Sequence, residues 1–323
     1  MIRRSAALLL LATGFAGVEP VDAQTLAGRV VHGSDASTVA GARVELHRVT
    51  ATEGSVIDST LSARDGSFSF QLPEASGGGD LWLAAARVQG VLYFGPARHA
   101  GQGADEPYEI TVYDSLTVQA PPGDLRVGMR HLVITRGQFG GFDVAEVIDV
   151  LGPEDRTLVP VADSLPIWTT SLPASAVGPR VLEGGVPTQA VAFAAGRVEL
   201  RSMLSPIGAR LTYVYTTRAT ELELDIEHPT DRLEVVIAGM DAEVTGATPA
   251  GTSTMGSEMV SRYEATAVAA GTRIRVAVAG VPRVGGRALV WVAVGAALLL
   301  AAAALWWTGN GERRRLRVPP PAA

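Results

Sequence analysis

Apolar and polar residues alternate along short runs through most of the chain, and turn-forming residues separate these runs. The clearest run is 221–227, where Leu222, Leu224 and Ile226 alternate with acidic residues. A period of two predicts a β-strand with one buried face, and frequent turns predict antiparallel pairing. No long helical pattern occurs outside the two ends of the chain. The pattern therefore predicts an all-β fold of two β-sandwich domains, followed by one C-terminal transmembrane α-helix.

The predicted transmembrane helix is 288–307, a segment of twenty residues without a charge. As a helix it would be about 30 Å long, which matches the hydrocarbon core of a bilayer. A buried core helix is the alternative. The predicted membrane-interface residues are Trp291, Trp306, Trp307, Arg313, Arg314 and Arg315. Because an arginine-rich flank favours the cytoplasm, 308–323 would be a cytoplasmic tail and 283–287 a juxtamembrane tether on the other side.

Residues 1–23 have the pattern of a secretory signal peptide. Arg3 and Arg4 precede a short apolar core, and small residues precede a cleavage site after Ala23. An export signal at one end and a stop-transfer helix at the other predict the same topology. We therefore predict a single-pass protein of a bacterial cytoplasmic membrane, with its N-terminal domains periplasmic or extracellular and membrane lipid among its partners.

A turn-rich segment divides the exported part of the chain in two. Residues 119–124 contain two prolines and a glycine, a composition typical of a linker. Residues 24–118 before it and 125–282 after it both have strand patterns, and each is predicted to be a β-sandwich. In the first domain Asp65 and Gly66 lie between two strand runs and predict a hairpin, because glycine accepts the positive φ of a tight turn.

Three pieces of the first domain resemble the carboxypeptidase regulatory-like domain. They are 26–31 (Leu-Ala-Gly-Arg-Val-Val), 39–46 (Val-Ala-Gly-Ala-Arg-Val-Glu-Leu) and 65–70 (Asp-Gly-Ser-Phe-Ser-Phe), and the resemblance extends more loosely to about residue 118. It implies a small transthyretin-like, immunoglobulin-like β-sandwich. Peptidase activity in that family belongs to a separate zinc-binding domain, so the resemblance implies a structural or interaction role.

Composition limits the class of partner. The formal net charge is −6, and acidic residues outnumber arginines in the exported part, so nucleic acid is not an expected partner. The chain has no cysteine, so its stability depends on packing rather than on disulfides. Every basic residue is arginine and Asn310 is the single asparagine, which is typical of a GC-rich bacterial genome.

The sequence contains no recognisable catalytic or metal-binding motif. The histidines are His32, His47, His99, His131 and His228. None of them has the His-Glu-x-x-His spacing of a zinc peptidase, and no Gly-x-Ser-x-Gly nucleophile elbow occurs. We therefore predict no enzyme activity, no catalytic or metal-ligating residue and no cofactor.

Two groups of residues are candidate binding surfaces. The aromatic group is Tyr93, Phe94, Tyr108 and Tyr113. It would be either an exposed platform for a carbohydrate or peptide, or a strand face buried in a core. The acidic row is Glu221, Glu223, Asp225 and Glu227. It would either recognise a basic partner or be a solvated strand face.

Together these features predict a non-enzymatic, membrane-anchored extracytoplasmic protein that contacts an envelope protein or supports envelope assembly. The first alternative is a surface module that binds a polysaccharide or a peptide. The second alternative is an accessory factor of an extracytoplasmic protein-maturation pathway.

Overall fold

The computed structural model describes most of the part of the chain that is predicted to be exported. The described residues are 25–50, 53–73, 80–99, 108–137, 140–255 and 258–278. Within these ranges the chain is all-β, with several sheets, one 3₁₀ turn at Thr188–Ala190 and no α-helix. It divides into two compact units, the first ending at Val112 and the second beginning at Tyr113.

Several predicted segments lie outside the described residues. They are the signal peptide 1–23, the tether 283–287, the transmembrane helix 288–307 and the tail 308–323, with Trp291, Trp306, Trp307, Arg313, Arg314 and Arg315. In the part of the chain that is described, no helix is long and apolar enough to span a bilayer.

The first unit is built from short strands in two sheets. Its described strands are β1 (Thr25–His32), β2 (Arg43–Val49), β3 (Gly54–Leu61), β4 (Ser67–Gln71), β5 (Leu81–Val88), β6 (Val91–Phe94), β7 (Arg98–His99) and β8 (Tyr108–Val112). One sheet has the order β4-β1-β8, in which β1 is antiparallel to β4 and parallel to β8. The other has the order β3-β2-β5-β6, and β7 pairs with β5.

A buried tyrosine joins the two sheets of the first unit. The hydroxyl of Tyr108 on β8 accepts a hydrogen bond of 2.8 Å from the backbone N–H of Ala84 on β5. The Tyr108 ring also packs edge-on against Phe68, with ring centroids 6.1 Å apart. Gly28 makes this packing possible, because a Cβ there would lie 2.4 Å from the Tyr108 carbonyl oxygen.

The turn at Asp65 and Gly66 is present, but it does not form a hairpin. Gly66 has the positive φ that such a turn favours, at 77°. The strands on its two sides belong to different sheets, since β3 pairs with β2 and β4 pairs with β1. The hairpin prediction is therefore wrong. The turn passes the chain from one sheet to the other, and the Gly66 carbonyl accepts a 2.9 Å hydrogen bond from Val30 N.

The second unit contains longer strands and a larger core. Its described strands are β9 (Asp114–Val118), β10 (Arg126–Arg136), β11 (Phe142–Leu151), β12 (Arg156–Pro160), β13 (Trp168–Ser171), β14 (Ala176–Val181), β15 (Val191–Ala194), β16 (Arg197–Leu200), β17 (Ala209–Thr217), β18 (Glu221–Ile226), β19 (Thr230–Ala238), β20 (Ala242–Thr245), β21 (Thr248–Met255), β22 (Glu258–Val268) and β23 (Thr272–Val278).

A seven-stranded sheet dominates this unit. Its order is β14-β17-β11-β10-β19-β22-β21, and the β10–β19 pair is parallel while the others are antiparallel. Two three-stranded sheets, β13-β16-β15 and β18-β23-β20, accompany it. Strand β9 pairs in parallel with β12. The compact second unit therefore begins before the predicted linker 119–124 and includes residues that the sequence pattern assigned to the first domain.

One face of the seven-stranded sheet packs with both three-stranded sheets around a single core. This core includes Leu132 and Ile148 from the large sheet, Trp168 from β13 and Leu224 from β18, all almost completely buried. The apolar residues that alternate along 221–227 point into it, as their period of two predicts.

Candidate functional site

The four residues of the aromatic group do not form one exposed platform. Tyr93 and Tyr108 are buried in the first unit, whereas Phe94 is 56% exposed. Tyr113 is half-buried and belongs to the second unit. Tyr93 and Phe94 are consecutive in β6, so their side chains point to opposite faces of the sheet.

Phe94 lies on the outer face of the five-stranded sheet, opposite the core. Its ring meets that of His47 edge-on, with centroids 5.5 Å apart. Beside His47 on β2, the nearly buried carboxylate of Glu45 lies 3.4 Å from Arg43 Nε and 3.5 Å from Arg87 Nη2. Two arginines and one histidine thus lie around one acid, and Phe94 packs against the histidine.

The edge of the same sheet adds further exposed apolar surface. Strand β3 is exposed along nearly its whole length, and Val56 is 53%, Ile57 38% and Leu61 66% exposed. Val56 lies opposite His47 and Leu61 opposite Arg43, so both share the outer face with Phe94. We call Val56, Leu61 and Phe94 the first-unit surface.

The acidic row lies on β18 and just beyond it in the second unit, and arginines of neighbouring strands neutralise most of it. Glu221 pairs with Arg275, and Asp225 lies 2.8 Å from Arg273. Glu227 lies 2.6 Å from Arg197 of β16. Three of the four acids therefore have an ion-pair partner within 3 Å.

An open depression lies beside part of the acidic row. The loop 171–175, together with Glu221, Glu223, Asp225 and Arg275, encloses about 620 Å³. Its lining mixes serine hydroxyls, carboxylates and one guanidinium. A peptide with both basic and acidic side chains would meet the carboxylates and the guanidinium of this depression. The arginines reduce its attraction for a purely basic partner.

A buried polar cluster that the sequence pattern does not predict lies on the core face of the seven-stranded sheet. Arg130 of β10 donates to Glu146 Oε2 of β11 from Nε at 3.0 Å and from Nη2 at 2.8 Å. The hydroxyls of Tyr213 and Tyr215 on β17 donate to the same carboxylate at 3.0 and 2.9 Å. The only available sequence signal was one arginine and one glutamate at positions where the strand pattern required apolar residues.

Electrostatics raise the pKa values of the arginine and of both tyrosines in this cluster. Burial opposes the charge on Arg130, but the adjacent Glu146 carboxylate outweighs it and raises the pKa of the guanidinium. Burial first, and then Glu146, raise the pKa of both Tyr213 and Tyr215 well above the ordinary value of 10.0. Both tyrosines therefore remain hydrogen-bond donors over the whole physiological pH range.

A second cluster lies on the opposite face of the same sheet. His131 Nδ1 donates to Glu234 Oε2 at 3.0 Å, and Arg262 Nε donates to Glu234 Oε1 at 2.8 Å. Arg262 also donates to Glu264 at 2.8 Å. The pKa of Glu234 is lowered from 4.5 to about 2. The hydrogen bond from His131 is the largest cause, and Arg262 also lowers the pKa, whereas burial raises it.

Neither cluster has the composition of a metal site. Among residues 25–278, apart from the gaps in the description, no three histidine, aspartate or glutamate side chains lie close enough together to hold a metal ion. In the second cluster Arg262 donates to both Glu234 and Glu264, and His131 donates to the other oxygen of Glu234, so these carboxylate oxygens are already engaged.

Comparisons with known proteins add little to this geometry. No model of a protein family matches the chain, and no curated protein matches it. Among solved structures, it is similar to an M1 zinc metallopeptidase from Deinococcus radiodurans, with 14% identity over 49% of this chain and 43% of that one and a TM-score of 0.32. A candidate protease from Parabacteroides distasonis matches with 12% identity over 48% of this chain and 40% of that one, at a TM-score of 0.27.

The full-length major pilin SpaD from Corynebacterium diphtheriae matches over more of the chain but less closely. Its identity is 11% over 78% of this chain and 79% of the pilin, with a TM-score of 0.19. The chain spans less than half the length of the metallopeptidase and the candidate protease. At TM-scores of 0.32 and below, these similarities support no conclusion about the activity of this chain.

Replacing Glu146 by glutamine should destabilise the second unit strongly. The substitution keeps the size of the side chain but leaves the Arg130 charge buried without a counter-ion, so we expect a loss of about 3–5 kcal/mol in the free energy of unfolding. Urea unfolding followed by tryptophan fluorescence, with Trp82 of the first unit replaced by phenylalanine in every variant, would measure it through the buried Trp168. Asp155→Asn, in an exposed pair with Arg156, is the control and should leave stability nearly unchanged, because solvent screens the pair. Equal effects of the two substitutions would contradict the interpretation.

Replacing Glu234 by glutamine should flatten the acid dependence of stability. Because the pKa of Glu234 is lower in the folded state, its contribution is full above pH 4.5 and is lost as the pH falls towards 2. Between these pH values the wild-type free energy of unfolding should fall by about 1–2 kcal/mol more than that of Glu234→Gln, after allowance for solvent screening of the pair. Urea titrations across this range would test it, with the exposed Glu223→Gln as the control. A Glu234→Gln profile that parallels the wild type would disprove it.

Proposed function

We propose that this chain is a non-enzymatic, membrane-anchored protein of the bacterial envelope whose exported domains contact another protein. The single observation that carries the proposal is the first-unit surface. Large apolar side chains on one sheet face and on its open edge are more than half exposed, and such grouping is typical of a protein–protein contact. The nearly buried Glu45 and its cationic neighbours beside it would supply polar contacts at the rim.

We further propose that both exported domains are β-sandwiches and that the first is a carboxypeptidase regulatory-like, transthyretin-like one. Its support is the resemblance of residues 26–72, together with the two sheets that Tyr108 joins. In that family the domain accompanies other functional parts and has no activity of its own. An interaction role rather than turnover follows from this assignment.

The anchor is also part of the proposal. A signal peptide at 1–23 and a transmembrane helix at 288–307 would place the two β units outside the cytoplasmic membrane, with the tail 308–323 inside. A short tether, 283–287, would hold the second unit close to the bilayer. Envelope assembly and extracytoplasmic protein maturation are processes that such a protein would serve.

A second candidate function is the binding of a peptide or a polysaccharide in the depression beside the acidic row. The observation that favours it is the open volume of about 620 Å³ lined by hydroxyls, carboxylates and Arg275. A ligand that binds only the folded second unit would raise its unfolding midpoint in a thermal-shift screen, while Glu223→Gln would reduce that rise.

A photo-crosslinking amino acid at Leu61 should capture a neighbouring protein in intact cells. Leu61 is 66% exposed on the first-unit surface, so a benzophenone side chain there would face the bound partner. The control is the same amino acid at Ile207, which is 82% exposed in the second unit. Light-dependent protein adducts at Leu61 that are missing at Ile207, detected by immunoblot and mass spectrometry, are the expected result. Identical patterns at the two positions would refute the proposed surface.

Protease added to intact spheroplasts should cut the exported units and spare the arginine-rich tail. The bilayer would protect Arg313, Arg314 and Arg315 until the cells are lysed, because they follow the transmembrane helix on its cytoplasmic side. An antibody against the last residues of the chain would detect the protected fragment. A product that fractionates as soluble, or a tail that trypsin reaches from outside, would overturn the anchor.

A further inference from the structure

The open edge of β3 offers backbone groups to another strand. In the described residues β3 pairs only with β2. Just beyond β3, Ser62 donates to Ala42 and accepts from Gly41, so its backbone groups point towards β2. Backbone groups alternate in direction along a strand, and those of Leu61 and Ser59 therefore point to the open side. In agreement with this, the N–H of Ser59 donates to the side chain of the preceding Asp58 at 2.7 Å.

Natural sheets protect such edges with bulges, charges and prolines, and β3 has one bulge, at Ile57, and one charge, at Asp58. It contains no proline and no lysine. Its outward side chains are apolar at both ends, with Val56 at one end and Leu61 at the other, and polar in the middle at Ser59.

From this pattern we propose that β3 pairs antiparallel with β3 of a second copy of the chain, around a twofold axis at Ser59. The inference deepens the proposed function and rests on it, because it names the partner that covers the edge of the first-unit surface. A twofold pair closes both open edges at once, so the assembly ends at two copies.

The side chains of β3 complement themselves in this register. With Ser59 opposite Ser59 of the second copy, Asp58 lies opposite Thr60. Ile57 is an extra residue in the pairing of β3 with β2, where Asp58 and Val56 lie opposite consecutive residues. With Ile57 bulged in the same way in the proposed pair, Val56 lies opposite Leu61 of the second copy. Both ends then pair apolar with apolar side chains, and no like charges face each other directly. A register centred on Asp58 would instead place two carboxylates opposite each other.

Asp58 limits the strength of this pairing. Its carboxylate accepts the Ser59 N–H that would otherwise donate to the second copy, and the two Asp58 side chains approach each other diagonally across the axis. Removing the carboxylate should therefore favour the pair of copies.

The absence of cysteine makes a direct test possible. In the full-length chain, expressed in its own membrane, Ser59→Cys introduces a single thiol. Opposite residues in a hydrogen-bonded antiparallel pair have Cα atoms about 5.5 Å apart, within the range that a disulfide bridges. Mild oxidation should convert the variant into a disulfide-linked dimer on a non-reducing gel.

Ser55→Cys is the matched control, since it is the same exposed residue type on the same strand. In the proposed register its two thiols would be roughly 20 Å apart, so we expect at least about fivefold less dimer than from Ser59→Cys. Adding Asp58→Ala to Ser59→Cys should raise the dimer yield, and adding Leu61→Asp should lower it.

Equal crosslinking of Ser59→Cys and Ser55→Cys, or none from either, would overturn the twofold pair. If the photo-crosslinker at Leu61 then captured a different protein, the proposed interaction function would stand with another partner. If it captured nothing, the proposed function would fail as well.

Discussion

The buried ion pair between Arg130 and Glu146 is the constraint on which the second unit depends. A charge pair in an apolar core is tolerated only when each of its groups has a hydrogen-bond partner, and Tyr213 and Tyr215 provide the remaining ones. The cluster links β10, β11 and β17. A shift of one residue in either pairing would turn a charged side chain to the other face, so the cluster also specifies the register of the sheet.

The opposite face of the same sheet also buries a carboxylate, with a histidine and an arginine as its hydrogen-bond donors. There Glu234 is held by His131 and Arg262, and the ionised carboxylate is stabilised by its hydrogen bonds. The large sheet thus has buried polar clusters on both faces, and in the second one the buried Nε2 of His131 has no hydrogen-bond partner. The large exposed apolar side chains Val56, Leu61 and Phe94, on which the proposed protein contact rests, belong to the first unit.

Several single residues show where sequence reasoning fails. The glycine at position 66 was recognised as a turn residue, and it is one, but a local pattern does not say which strand each neighbour will pair with. Tyr93 and Phe94 were placed in one aromatic group, yet successive residues of a strand point to opposite faces. The acidic residues of β18 were visible as a row, but the arginines that neutralise them come from β16 and β23.

The sequence alone determined the all-β class, most of the strand positions and the buried side of β18, because a period of two is a local property of the chain. Only the tertiary structure decided that β9 joins the second unit, that Arg130 meets Glu146 across neighbouring strands, and that β3 is left as an open edge. These features depend on pairings between residues far apart in the sequence. Their energies come from burial and hydrogen bonding that exist only once the sheets have assembled.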